Sequence, residues 1–130
     1  QYLKVGIPMK ILIAGSRHLE IDPQDIGSFM YIFGFSEKES MIIHGNSGQV
    51  DDSADIYADM NSLEKRAYPA NWKEYGKKAG PIRNKEMAKD ADILLLIWDG
   101  ISHGSLNMKK EMKGDRFAHL HDANVVFKSR

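Results

Sequence analysis

The chain contains no cysteine, which removes disulfides, thiolate nucleophiles and sulfur-built zinc sites from consideration. It also has no charge excess, since 18 Lys and Arg balance 18 Asp and Glu. A protein held to nucleic acid by many phosphate contacts carries a basic excess or stripe, so nucleic acid is not an expected partner. No apolar run approaches the roughly twenty residues of a membrane-spanning helix, and the N-terminal stretch lacks the apolar core of a secretory signal. No membrane partner is expected, and a cysteine-free chain fits the reducing cytoplasm. With 130 residues the chain can bury one ordinary core but not two. Residues 1–8 precede a Met9-Lys10 pair that reads as a start and are set aside as a flexible leader. Residues 9–130 are read as a single domain.

What the chain does have is a set of short turns rich in glycine, hydroxyl and basic residues. They are Gly15-Ser16-Arg17, His44-Gly45-Asn46-Ser47-Gly48, Gly80-Pro81-Ile82-Arg83-Asn84, and Asp99-Gly100-Ile101-Ser102-His103-Gly104-Ser105. The first, second and fourth follow apolar runs, Ile11 to Ala14, Met41 to Ile43, and Ile93 to Trp98. Continuous apolar runs of this length suit strands of a parallel sheet covered on both faces. If these strands are neighbours, their turns meet at the carboxyl edge of the sheet, where open α/β folds bind ligands. Glycines let backbone N–H groups approach a ligand, hydroxyls add donors, and arginines add charge with a bidentate fork. That lining suits an anion, a phosphate above all.

Helical patterns alternate with these strands. Ile26, Phe29, Met30 and Phe33 fall at i, i+3, i+4 and i+7, predicting a helix over 23–33 with Asp22 as cap and Pro23 in its first position. Residues 35–40 read as a polar connection, and Ala54, Tyr57 and Ala58 share a face of a helix over 51–63. A short strand is expected at 65–68, an irregular stretch at 70–78, helices from Pro81 to about Lys89 and from about Ser105 to Lys113, and a last strand at 124–127. The expected fold is α/β: a Rossmann-like three-layer α-β-α sandwich with a mainly parallel sheet.

Helix starts carry partial positive charge and usually recruit acids. The helices at Asp22 and at Asp51-Asp52 follow that rule. Those at Pro81 and Gly104 instead have Arg83, Lys85, Lys109 and Lys110 nearby and no acid before Glu111 in the latter. An anion between helix end and cation would relieve the repulsion; pairing of Arg83 with a carboxylate elsewhere is the plainer alternative. Arg17 either turns into the same crevice or lies on the surface. The loop from His44 to Gly48 is either an anion nest or a plain strand-to-helix turn, and Asp51 is either a helix N-cap or a ribose contact. His44, His103 and the pair His119 and His121 lack the three or four ligands a metal site needs, so no metal is expected. Trp72 and Tyr75 suit stacking on a base, core packing or a subunit contact. Met30, Phe33, Phe35 and Trp72 are candidate surfaces for a homo-oligomer.

These turns, taken in order, resemble the SLOG superfamily, which unites DprA proteins, LOG phosphoribohydrolases and the YspA/YpsA-like group. The likeness is nearest to the YspA-like group and extends from Met9 to Phe127. Gly15-Ser16-Arg17 is similar to its opening motif, and His44-Gly45 with Asp51 and Ala54 to its His-Gly-Gly-Ala-x-Gly-Ala-Asp-x-x-Ala signature. Pro69-Ala70-Asn71-Trp72 and Gly80-Pro81-Ile82-Arg83-Asn84-Lys85-Glu86-Met87 resemble its middle segments, and Trp98-Asp99-Gly100 with Ser102, Gly104 and Ser105 its final loop. The resemblance implies a domain that binds a nucleotide or nucleotide-derived ligand, such as an ADP-ribose-like molecule, with no other cofactor assigned.

The departures bear on chemistry. Asn46 and Gln49 replace glycines of the signature, which implies a differently shaped loop. LOG enzymes carry a catalytic glutamate in the final loop, where this chain has Met108; a thioether does no acid/base work. Asp99 and Glu111 are the remaining catalytic candidates. The leading expectation is therefore binding of a small nucleotide-derived phosphate ligand, for sensing or sequestration, through Gly15, Ser16, Arg17, His44, Gly45, Asn46, Ser47, Gly48, Asp51, Arg83, Asn84, Gly100, Ser102, Gly104 and Ser105. The alternatives are a nucleotide or nucleoside hydrolase and a DprA-like single-strand binder.

Overall fold

The computed structural model describes residues 8–114, 116–120 and 123–127. Residues 1–7 of the expected leader, and His121, lie outside the described residues. The chain runs β1 (Met9–Gly15), α1 (Pro23–Ile32), β2 (Ser40–His44), α2 (Gln49–Met60), β3 (Glu64–Ala67), α3 (Trp72–Tyr75), α4 (Ala79–Asp90), β4 (Ile93–Ile97), α5 (His103–Met112), β5 (Arg116–Leu120) and β6 (Ala123–Phe127). The strands form one sheet in the order β3-β2-β1-β4-β6-β5. Neighbours from β3 to β4 pair parallel, and β6 runs antiparallel to both β4 and β5.

Alternation within the strands builds the layers, because successive side chains point to opposite faces. Ile11, Ile13, Ile42, Ile93, Leu95, Ile97 and Val125 join Ile26 and Met30 of α1 and Val50, Ala54, Tyr57 and Ala58 of α2 in one core. Leu12, Ile43, Leu94, Leu96 and Val126 meet Met87 and Ala88 of α4 and Met108 and Met112 of α5 in the other. Both faces of the central strands are dry, so the fold is the α/β three-layer sandwich expected from their apolar runs. No helix among the described residues is long and apolar enough to cross a membrane.

Element boundaries correct several expectations. The helix expected from Pro81 begins at Ala79, continuing a 3-10 turn at Gly76–Lys78, so Pro81 stands third in the helix. A proline is tolerated there because first-turn N–H groups have no partner within the helix. The stretch 70–78 is thus largely helical, and 35–40 includes a 3-10 turn at Glu37–Glu39. Helix α2 starts at Gln49 with Gly48 as its N-cap, which places Asp51 inside the first turn. Helix α5 starts at His103, so Lys109 and Lys110 belong to its last turn, where positive charge favours the helix dipole. Strand β5 was not expected.

The proposed pairing surface is corrected too. Met30 is 1% exposed, and Phe33 and Phe35 pack against the first core. The cause is local: Gly34 takes a φ of 77°, and the N–H groups of Gly34 and Phe35 bond back to the carbonyls of Tyr31 and Met30. This Schellman-type end turns Phe35 inward. Tyr31, Ile32, Ile56 and Met60 are the large apolar residues that α1 and α2 leave exposed. At the sheet margin all four residues of β3 are exposed. Lys65 bonds to Asp55 and Asp59 of α2, and Arg66 to Asp90 of α4.

Candidate functional site

The parallel order β3-β2-β1-β4 reverses direction of build at β1, with β2 on one side and β4 on the other. The crevice at such a switch point lies between the turns that follow β1 and β4. A cleft of about 720 Å³ is found there. Gly15, Ser16 and Arg17 after β1, Gly45, Ser47 and Asp51 at the start of α2, Arg83 and Asn84 of α4, and Ser102, Gly104 and Ser105 at the start of α5 all line it. Four residues expected at the site do not: His44, Asn46, Gly48 and Gly100 lie outside the lining. Sequence reasoning passed over His18, Met87 and Asn107 as lining residues. Gly80, Arg83, Asn84 and Met87 stand at i, i+3, i+4 and i+7 along α4, a periodic signal that could have identified the fourth of them.

The loop after β2 explains why His44 is absent from the lining. Its ring is 2% exposed, and Nδ1 accepts the Asn46 N–H at 3.0 Å. The ring proton therefore sits on Nε2, which donates to Asp55 at 2.8 Å. Asn46 is consequently held at a φ of 51°, with Gly48 at 92°. The Gly45 and Ser47 N–H groups, expected to form a nest for a foreign anion, instead donate to Oδ2 of Asp51 at 3.2 and 2.9 Å. Asp51 is thus not an N-cap; through Oδ2 it is the loop's own anion.

Burial pushes the Asp51 carboxyl up to about 6, against the Ser47 N–H bond and the nearby His44 and Arg83, which favour its ionised form. An unfolded aspartate titrates near 3.9. The folded state therefore binds more protons between those values, and this term of stability is complete below pH about 4 and lost as pH rises through about 6. Asp51→Asn keeps an acceptor for both N–H groups and abolishes the titration. In urea denaturation across pH 4 to 7, the variant should gain about 2 to 3 kcal/mol on the wild type as pH rises. Parallel stability curves would refute the assignment.

Arg83 has no carboxylate partner within ion-pair reach among the described residues. Its Nη1 donates to the Gly45 carbonyl at 2.7 Å and the Tyr68 carbonyl at 3.4 Å, and Nε donates to Asn84 Oδ1 at 3.0 Å. A guanidinium has five N–H bonds. The two on Nη2 make no hydrogen bond among the described residues. Burial pulls the Arg83 guanidinium below its usual range; Asp51 opposes that shift and the neighbouring positive charge of Arg17 adds to it. Arg17 itself is exposed and makes no hydrogen bond or ion pair among the described residues. Two cations thus share one cleft.

Asn84 is 7% exposed and ties α4 to α5, donating to Asn107 Oδ1 at 2.9 Å and to the Gly104 carbonyl at 3.4 Å. The Ser16 and Ser105 hydroxyls meet at 3.3 Å across the switch point. Neither α4 nor α5 has an acid in its first turn or a side chain capping its start, so their N-terminal N–H groups lack an internal counter-charge. With α4 starting at Ala79, Arg83 belongs to its second turn; the cation reaches the cleft by its length.

The two catalytic candidates are placed elsewhere. Asp99 accepts from the Ile101 and Ser102 N–H groups at 2.8 Å and from the Ser102 hydroxyl at 2.7 Å, and it pairs with His18 at 3.0 Å. Desolvation raises its carboxyl, but the Ser102 and Ile101 bonds and His18 together outweigh that and hold it at about 2. It closes the 99–102 turn and is committed as a carboxylate. Glu111 stands about 9 Å along α5 from Ser105 and does not line the cleft. Met108 does line it, 1% exposed. Comparison of the chain with protein-family models, with curated proteins and with solved structures returns no match.

Proposed function

We propose that the cleft binds a small phosphate-bearing nucleotide derivative, and that the protein acts in the cytoplasm as a sensor or sequestering domain of SLOG type. The observation that carries this reading is the convergence of Arg17 and Arg83 on one cleft, with Nη2 of Arg83 uncommitted among the described residues. The start of α5, which has no acid in its first turn, adds donors of the kind that bind phosphate oxygens. Asp51 is the one carboxylate among the residues lining the cleft, and its Oδ2 is occupied by the loop. The two acids that stood as catalytic candidates, Asp99 and Glu111, lie outside the lining, which favours holding a ligand over hydrolysing it.

The test is thermal denaturation against nucleoside monophosphates, cyclic nucleotides, ADP-ribose and inorganic phosphate. A true ligand at a hundred times its dissociation constant adds about 2.7 kcal/mol to stability. A phosphate compound should raise Tm while its dephosphorylated counterpart does so less. No shift with any of them would overturn the proposal.

A further inference from the structure

Trp72 is 49% exposed, unusually open for an indole, and it lines the same cleft as the arginines. Its position is built, not incidental. Asn71 caps the short helix α3 by accepting the Glu74 N–H at 3.1 Å and donating to the Glu74 carboxylate at 3.0 Å. The indole then lies over Gly80, where a Cβ would stand 3.4 Å from its Cη2 atom. Because residue 80 is glycine, no side chain fills the space beside the ring. Gly80 and Arg83 are one turn apart on the same face of α4, about 4.5 Å along its axis. The cleft therefore has an aromatic region within one helical turn of its cationic region, with Pro81 and Met87 adding apolar lining.

We infer that Trp72 is the stacking platform for the base of a nucleoside phosphate whose phosphate is held by Arg17 and Arg83. The inference rests on the phosphate-binding reading above and adds the residue that would recognise the base, so that the aromatic ring of the ligand contributes affinity of its own beside the phosphate. A sugar phosphate or inorganic phosphate would satisfy the arginines and leave Trp72 exposed. Every base offers a π-face, and loss of one base–aromatic stack by substitution weakens binding by roughly 5- to 150-fold.

Calorimetric titration with AMP, ribose 5-phosphate and adenosine separates the two halves of the site. AMP should bind at least about tenfold more tightly than ribose 5-phosphate. Trp72→Leu should remove that advantage while leaving ribose 5-phosphate affinity unchanged, and Trp72→Phe should keep most of it. The chain has two tryptophans, so emission quenched by AMP in the wild type and lost in Trp72→Leu, which retains Trp98, belongs to Trp72. Equal affinities for AMP and ribose 5-phosphate, or a Trp72→Leu loss shared by both, would overturn the stacking platform and leave phosphate binding intact. Equal affinities for AMP and adenosine would overturn the phosphate site and leave the platform standing. Failure of all three to bind would overturn both.

Discussion

Arg83→Gln should weaken binding of AMP or another phosphate ligand by roughly 10- to 150-fold, the range expected when a charge-assisted bond to an anion is lost. The expectation follows from how the guanidinium is employed. One side of the fork is committed to the Gly45 and Tyr68 carbonyls and to Asn84, which fixes its plane. The remaining Nη2 then presents two N–H bonds with little rotational freedom left to lose. Arg83→Lys should recover only part of the affinity, because an ammonium cannot hold both carbonyls and a ligand in one plane. Arg17→Gln should cost less, since that side chain is exposed and screened. Calorimetry at two salt concentrations checks this: the wild type should be more salt-sensitive than Arg83→Gln. Affinity in Arg83→Gln within twofold of wild type would remove Arg83 from the site. Circular dichroism of the variant separates loss of ligand from loss of fold, because the two carbonyls it leaves are partly buried.

Gly15→Ala should be the most destabilising single-methyl substitution at the cleft. A Cβ there would stand 2.5 to 2.9 Å from three side-chain atoms of Val50, which is 2% exposed. Neither side yields easily: Gly15 pairs with Ile97 across the centre of the sheet, and Val50 belongs to the first core. Overpacking of this kind costs about 1 to 3 kcal/mol, or roughly 4 to 15 °C in Tm for a domain of this size. Because the Val50 Cβ itself would stand 2.7 Å away, no change of Val50 rotamer relieves the clash. Gly15→Ala combined with Val50→Ala, which removes the 2.5 and 2.9 Å contacts and keeps the one to Cβ at 2.7 Å, should be less destabilised than the sum of the single changes, by about 0.5 kcal/mol or more on the scale of contacting pairs. Strict additivity would show that the backbone absorbs the methyl. Because α2 carries Asp51, any shift that accommodates the new methyl should also loosen the loop at Gly45 to Ser47.

The sheet was legible because its central strands hold continuous apolar runs, Ile11 to Ala14, Met41 to Ile43 and Ile93 to Ile97, a pattern with few physical outcomes. The turns after β1, β2 and β4 were legible for a related reason: a parallel sheet brings the carboxyl ends of neighbouring strands together, so Ser16, Gly45 and Ser105 had to meet. Asp51 was not legible. Its capture of the Gly45 and Ser47 N–H groups depends on Gly48 taking a φ of 92°, which turns the loop back over the helix start. Strand β5 was missed because its run, Arg116 to Leu120, alternates imperfectly and its pairing with β6 slips register between Arg116 and Ala118. Trp72 was legible as a candidate for base stacking, with core packing and a subunit contact beside it; placing it in the cleft needed the helical path from Trp72 through Gly76–Lys78 into α4. The Phe35 misreading shows the same limit at smaller scale, since Gly34 was a reversal signal that periodicity alone ignores.

The outermost strand on the β2 side has a consequence for life in a crowded solution. An unpaired strand margin invites a neighbouring molecule to extend the sheet laterally and so to seed aggregates. Here that margin is only four residues long and reads Glu64, Lys65, Arg66, Ala67. Lys65 and Arg66 are tethered in opposite directions, to α2 and to α4, so a docking strand would meet two long cationic side chains already braced by both helical layers. The protein closes this side of its ribbon by electrostatic fencing.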